Sequence, residues 1–143
     1  MRVFKILLII IIVFTISFFL INKLSNSYLS LEIEGIVFKA KIADSPLEWR
    51  KGLSNTISLG EKEGMLFIFP YSEKRIFYMK DMNFALDLLW IKDKIIVGME
   101  KNMFKDNGER KYNSEEEIDM VLELEAGSID KYNFKIGNII KIN

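Results

Sequence analysis

The segment Gly64–Ile91 constrains this chain most, because three apolar runs of strand length follow one another there with little between them. Met65–Phe69 is continuously apolar, the pattern of a strand buried on both faces. Pro70-Tyr71-Ser72 has the chemistry of a turn. In the next run Ile76, Tyr78 and Lys80 share one strand face, while Arg75, Phe77, Met79 and Asp81 share the other. Ala85–Ile91 then puts Asp87 on a face with Ala85, Leu89 and Ile91. Lys80 and Asp87 thus stand in apolar surroundings, where a charge is paired, solvated at a rim, or functional. A mutual or local salt bridge holding neighbouring strands in register is the plainest expectation.

Around this segment the pattern is mostly strand. Leu31–Ala43 reads as a hairpin turning at Glu34-Gly35, with Ile36, Phe38, Ala40 and Ile42 on one face. Ser45, Pro46 and Glu48 have the spacing of an N-cap, a first helical residue and a capping-box partner, which predicts a helix to about Leu53. Arg50 lies one position off its apolar stripe, as a rim arginine would. Gly64 marks a backbone approach that a side chain would block. Lys92-Asp93-Lys94 turns the chain into a returning strand at Ile95–Met99, and Glu100–Glu117 reads as a long polar loop. Ile118–Leu124 alternates as a half-buried strand with Asp119, Val121 and Glu123 on its other face. Ser128–Tyr132 predicts a short helical turn, and Phe134–Ile142 a closing hairpin at Gly137-Asn138. The expected class is α+β and β-rich: about seven to eight short, mainly antiparallel strands in a small barrel-like or curved sheet, with one or two short helices.

Composition removes several chemistries. The sequence has no cysteine and no histidine, so disulfides, thiol nucleophiles, Ser-His-Asp catalysis and His- or Cys-ligated zinc are excluded. No Asp-rich calcium-loop spacing or Gly-rich phosphate loop occurs either, so neither a metal nor a cofactor is expected. Ile6–Ile21 is an unbroken, mostly apolar run. With Val3, Phe4 and a snorkelling Lys5 it covers residues 3–21, about 28 Å as a helix against a hydrocarbon core of ~30 Å. The expectation is a transmembrane signal anchor over 1–24, a linker over 25–30 and a single domain over 31–143. Arg2 and Lys5 before the run predict a cytoplasmic N-terminus and an extracytoplasmic domain at the cell membrane. Ser25-Asn26-Ser27 offers the alternative of a cleaved signal peptide and a secreted domain. Three of the twenty basic residues and none of the twenty acidic ones precede Tyr28, which leaves the remainder at a formal −3. A mildly acidic body without a basic stripe argues against nucleic acid as a partner.

Five ordered motifs resemble one family. Ala43-Asp44-Ser45-Pro46 with Arg50 and Gly52-Leu53 resembles its opening, and Gly64-Met65-Leu66-Phe67-Ile68-Phe69 is similar to its G-M-L-F-V-F strand. Tyr78-Met79-Lys80-Asp81, followed by Leu86-Asp87, resembles its W-M-K-N and L-D pair. Tyr112-Asn113-Ser114, then Val121-Leu122-Glu123 to Gly127, and Ile136-Gly137-Asn138 complete the series. The family is domain of unknown function 192, whose members often carry an N-terminal signal or anchor; the resemblance implies no established activity. Asp81-Met82 stands where the family usually has Asn-Thr, and Ala85 where it has proline.

Three functions follow as expectations. The first is a non-enzymatic, membrane-anchored domain that binds a small molecule or an envelope protein. Its ligand-binding candidates are Arg50, Gly64, Tyr78, Lys80, Asp81 and Asp87. The second is an envelope enzyme, hydrolytic in one version, with Asp87 as general base and Lys80 or Arg50 holding an anion. The third is an interaction module presenting Tyr71, Phe84 or Tyr112. Convergence of Arg50, Lys80 and Asp87 on one water-reachable pocket would favour a site over a structural role.

Overall fold

The structure is a computed structural model that describes residues 7, 9–15 and 28–143. Strands β1 (Tyr28–Ile33) and β2 (Ile36–Ala43) form the expected first hairpin. Glu34 and Gly35 both take positive φ, as a two-residue hairpin turn requires. Helix α1 (Pro46–Lys51) follows, and Glu48 reaches back to accept from the Ser45 N–H at 3.1 Å. Strand β3 (Glu63–Glu73) runs parallel to β2, whereas all other pairings are antiparallel. Then come β4 (Ile76–Phe77), β5 (Leu86–Lys92), β6 (Ile95–Met103), β7 (Tyr112–Asn113), β8 (Ile118–Glu125), α2 (Ser128–Lys131) and β9 (Ile140–Ile142).

Seven strands make one curled sheet in the order β6-β5-β8-β3-β2-β1-β9, and β4 pairs with β7 outside it. The curl brings the two edges together. Ile96 donates to Asn138 O at 3.0 Å, Gly137 donates to Ile96 O at 2.8 Å, and Ile140 donates to Lys94 O at 2.8 Å. The segment expected to close as a hairpin therefore does not pair with itself. Its backbone groups are taken by β6 on one side and, through β9, by β1 on the other.

The three adjacent strands β5, β8 and β3 are buried on both faces. Leu66, Leu89, Ile91 and Leu122 point into the curl with Phe38 and Ile129. Met65, Phe67, Leu88, Trp90 and Val121 point outward, where α1 and the crossing segment 74–84 cover them with Leu53, Met79 and Met82. β8 is consequently not the half-buried strand its alternation suggested. β3 also runs through Pro70 rather than turning there. Its pairing with β8 shifts between Ile68 and Glu73, and proline is tolerated in such an unpaired stretch.

One expected element is corrected. No helix among the described residues is long and apolar enough to cross a membrane, so the transmembrane helix expected over 3–21 is not found. Helical residues 9–15 rise only about 10 Å, against a hydrocarbon core of ~30 Å. Apart from residue 7, also helical, the rest of that run and the motif at 25–27 lie outside the described residues.

Asp87 holds the inner face together. It is 1% exposed, and no salt bridge to Lys80 forms. Its Oδ1 accepts from the Asn102 N–H at 2.8 Å and its Oδ2 from the Ile129 N–H at 2.8 Å. The first donor is freed by a slip in register, since Leu86 faces Met103 but Leu88 faces Glu100. The second is an open N–H at the start of α2, whose N-cap, Gly127, has no side chain to offer. Asp87→Asn turns an amide donor toward one of these N–H groups. Equilibrium denaturation is expected to show a loss of about 1–3 kcal/mol, and an unchanged midpoint would contradict the clamp.

Candidate functional site

The outer face of the three central strands carries a cavity of about 320 Å³. Its walls follow from strand alternation: Phe67 and Phe69 come off β3, while Phe77 and Met79 come from the segment crossing above them. Trp49 of α1 stacks obliquely on Phe69 at 5.2 Å between ring centroids, and its indole N–H is held by Ala43 O at 3.0 Å. Phe77 meets Phe67 edge-on at 5.0 Å. Arg50, Lys51, Ser54 and Tyr78 also line the cavity, the first two from the last turn of α1.

Glu123 closes the floor. In the sheet it lies between two apolar partners, Met65 on β3 and Leu88 on β5. The residue is 6% exposed, and its Oε2 has no hydrogen-bond partner among the described residues. Desolvation raises its carboxyl pKa from 4.5 to about 8. The neighbouring strand comes close because residue 64 is glycine. A Cβ there would stand 2.6 Å from Glu123 O and 2.9 Å from a Leu124 methyl.

Arg75 is the second unusual group. Its guanidinium lies over the Phe69 ring at 4.0 Å, pairs with Glu73, and donates to Tyr71 O at 3.3 Å. Ser114 fixes its backbone from both sides: the Arg75 N–H donates to Ser114 Oγ at 2.9 Å, and the Ser114 N–H donates to Arg75 O at 3.0 Å. Arg75 Nε is nonetheless buried and unpartnered among the described residues. Buried polar atoms are nearly always satisfied. Of the three such side-chain atoms left unsatisfied among the described residues, two belong to residues that line this cavity, Arg75 and Glu123; the third, the Tyr112 hydroxyl, does not.

The residues singled out in the sequence divide between places. Arg50 and Tyr78 line the cavity, and Gly64 packs beside the backbone of its floor. Lys80 and Asp81 are exposed in a turn outside the lining, where Ser54 Oγ donates to Lys80 O at 3.0 Å and the Asn55 N–H donates to Asp81 O at 2.8 Å. Asp87 is on the opposite face of the sheet, so Arg50, Lys80 and Asp87 do not converge. Tyr71 is exposed, Phe84 half-buried and Tyr112 buried. Among the described residues no cluster of acidic side chains could hold a metal ion.

Glu123 and Arg75 carried no weight in the sequence reading. Period-two alternation assigns Glu123 to water. The signal that would have found it is indirect: β3 and β5 are continuously apolar, so a strand lying between them is covered on both faces as well.

The DUF192 family model, described as "Uncharacterized ACR", matches residues 29–142. The chain belongs to DUF192. Two crystal structures share its fold. One is of a protein from Sinorhizobium meliloti 1021 proposed to be a transcription regulator, 24% identical, covering 82% of this chain and 95% of that one at a TM-score of 0.78. The other is of a protein of unknown function from Novosphingobium aromaticivorans DSM 12444, 23% identical, covering 80% of this chain and 84% of that one at a TM-score of 0.75. At these identities the likeness concerns the fold alone. No curated protein matches the DUF192 chain.

Glu123 makes stability fall with rising pH. Unfolded, its carboxyl loses its proton near pH 4.5; folded, it keeps it to about 8. Between those values the folded state binds more protons, so each added pH unit favours unfolding by up to roughly 1.4 kcal/mol. Glu123→Gln stays neutral and is expected to remove this decline. A denaturation series across that window showing the same decline in both proteins would contradict the assignment.

Proposed function

We propose that this DUF192 domain binds a small molecule in the cavity over Glu123 and acts as a binding protein rather than an enzyme. The observation that carries the reading is the carboxyl itself. An unpaired acid among Met65, Leu88 and aromatic rings weakens the fold at neutral pH, and a ligand that hydrogen-bonds to it would remove that cost. The cavity volume, about 320 Å³, is at the small end of the usual range for ligand sites, roughly 300–1,000 Å³. The aromatic walls suit a flat, apolar body. Catalysis has less support. A raised carboxyl pKa suits a general acid, yet among the described residues no Ser, Thr or Lys nucleophile is hydrogen-bonded to Glu123.

The test separates stability from binding. A fragment set is screened on the full-length chain by ligand-observed NMR, alongside Glu123→Leu, which fills the floor without its polar atoms. The variant is expected to gain stability at neutral pH and to lose the fragments that bind the parent. A variant that binds the same fragments equally well, or a parent that binds none, would overturn the reading.

A further inference from the structure

We propose that the ligand is a small organic anion: its charged group sits at the Arg50–Lys51 rim, its flat apolar body lies between the aromatic walls, and an uncharged hydrogen-bonding group at its far end meets Glu123. This deepens the ligand-binding reading above and rests on it.

The charge around the cavity decides against a cation. Arg50 and Lys51 line it from α1, and Arg75 lines it from the crossing segment, paired with Glu73 at its side. Glu123 is the one carboxyl among the described lining residues. A cation entering would pass two exposed basic side chains, whereas an anion is drawn to them. Arg50 also offers a planar fork that fits a carboxylate.

The floor decides against a ligand that is apolar throughout. Such a body would leave the Glu123 carboxyl unpaired, as it is among the described residues without it. A protonated carboxyl presents one donor and one acceptor. A hydroxyl answers both: it donates to the carbonyl oxygen of the acid and accepts from its O–H. Desolvation, which keeps the Glu123 proton to about pH 8, makes this end of the cavity neutral while the rim stays cationic. The volume leaves room for one ring with short substituents.

The experiment measures binding of three probes of one shape to the full-length chain by isothermal titration: para-hydroxybenzoate, para-hydroxybenzamide and para-hydroxybenzylamine. The benzoate is expected to bind about tenfold or more tighter than the amine, with an affinity that falls as salt rises. Replacing both Arg50→Gln and Lys51→Gln is expected to cost the benzoate about tenfold and leave the amide unchanged. Raising the pH from about 7 to about 9 is expected to weaken the benzoate on the parent as Glu123 ionises, and much less on Glu123→Gln. Circular dichroism at each pH confirms that the protein is folded. Preference for the amine, or equal binding of all three, would overturn the anion class while leaving a ligand site standing. No binding by any probe, together with a silent fragment screen, would overturn both.

Discussion

The structure depends on burying both faces of three neighbouring strands, β5, β8 and β3. A curled sheet covers its inner face by its own curvature, but the outer face needs a second layer. Helix α1 and the segment from Lys74 to Phe84 supply it, with Leu53, Met79 and Met82 as the contacts. Gly64 tightens the arrangement by letting β3 approach the backbone at Glu123, where even a methyl group would collide with a carbonyl oxygen. Everything placed on the outer face inherits its position from this packing. Because the covering layer is loops, one short helix and the two-residue strand pair β4–β7 rather than a full second sheet, it leaves a hollow over the middle of the face.

Two carboxyls on these strands meet opposite circumstances. Asp87 points inward, and each of its oxygens accepts from a backbone N–H that would otherwise be orphaned, one at a slip in the β5–β6 register and one at the start of α2. That is a structural use of a buried acid. Glu123 points outward, between Met65 and Leu88, with Oε2 unmatched among the described residues. A buried polar group without a partner costs stability and contributes none. The contrast separates the two: the acid that stitches the fold is not the acid on the cavity floor, although the first is the more conspicuous in the sequence.

Much of the architecture was legible because local chemistry and global packing agree. The Ser45-Pro46-Glu48 cap, the turns at Glu34-Gly35 and Asp93-Lys94, and the continuous run Met65–Phe69 each announce their element, and the structure has it. What could not be read depends on neighbours in space. Pro70 has turn chemistry but lies in a strand, because that stretch is not paired with β8. Ile139–Ile142 looks like half of a hairpin, but Ile140–Ile142 pair with β1, an edge from the other end of the chain, and Ile139 bridges to Ile95. Glu100-Lys101-Asn102 reads as loop yet continues β6, since an edge strand may carry charge. The site was hidden for the same reason. Arg50 and Tyr78 were singled out and do line the cavity, but Glu123 follows from which strands flank β8, a fact of topology and not of its own spacing.

The central claim is that the Glu123 carboxyl is a desolvated, unpaired acid on the floor of a hollow. Carbon-detected NMR of its side-chain carboxyl through a pH titration tests it most directly. The account predicts a midpoint near 8, far above that of exposed glutamates. A midpoint near 4.5 would mean that water or a cation already satisfies the group, and would contradict the account.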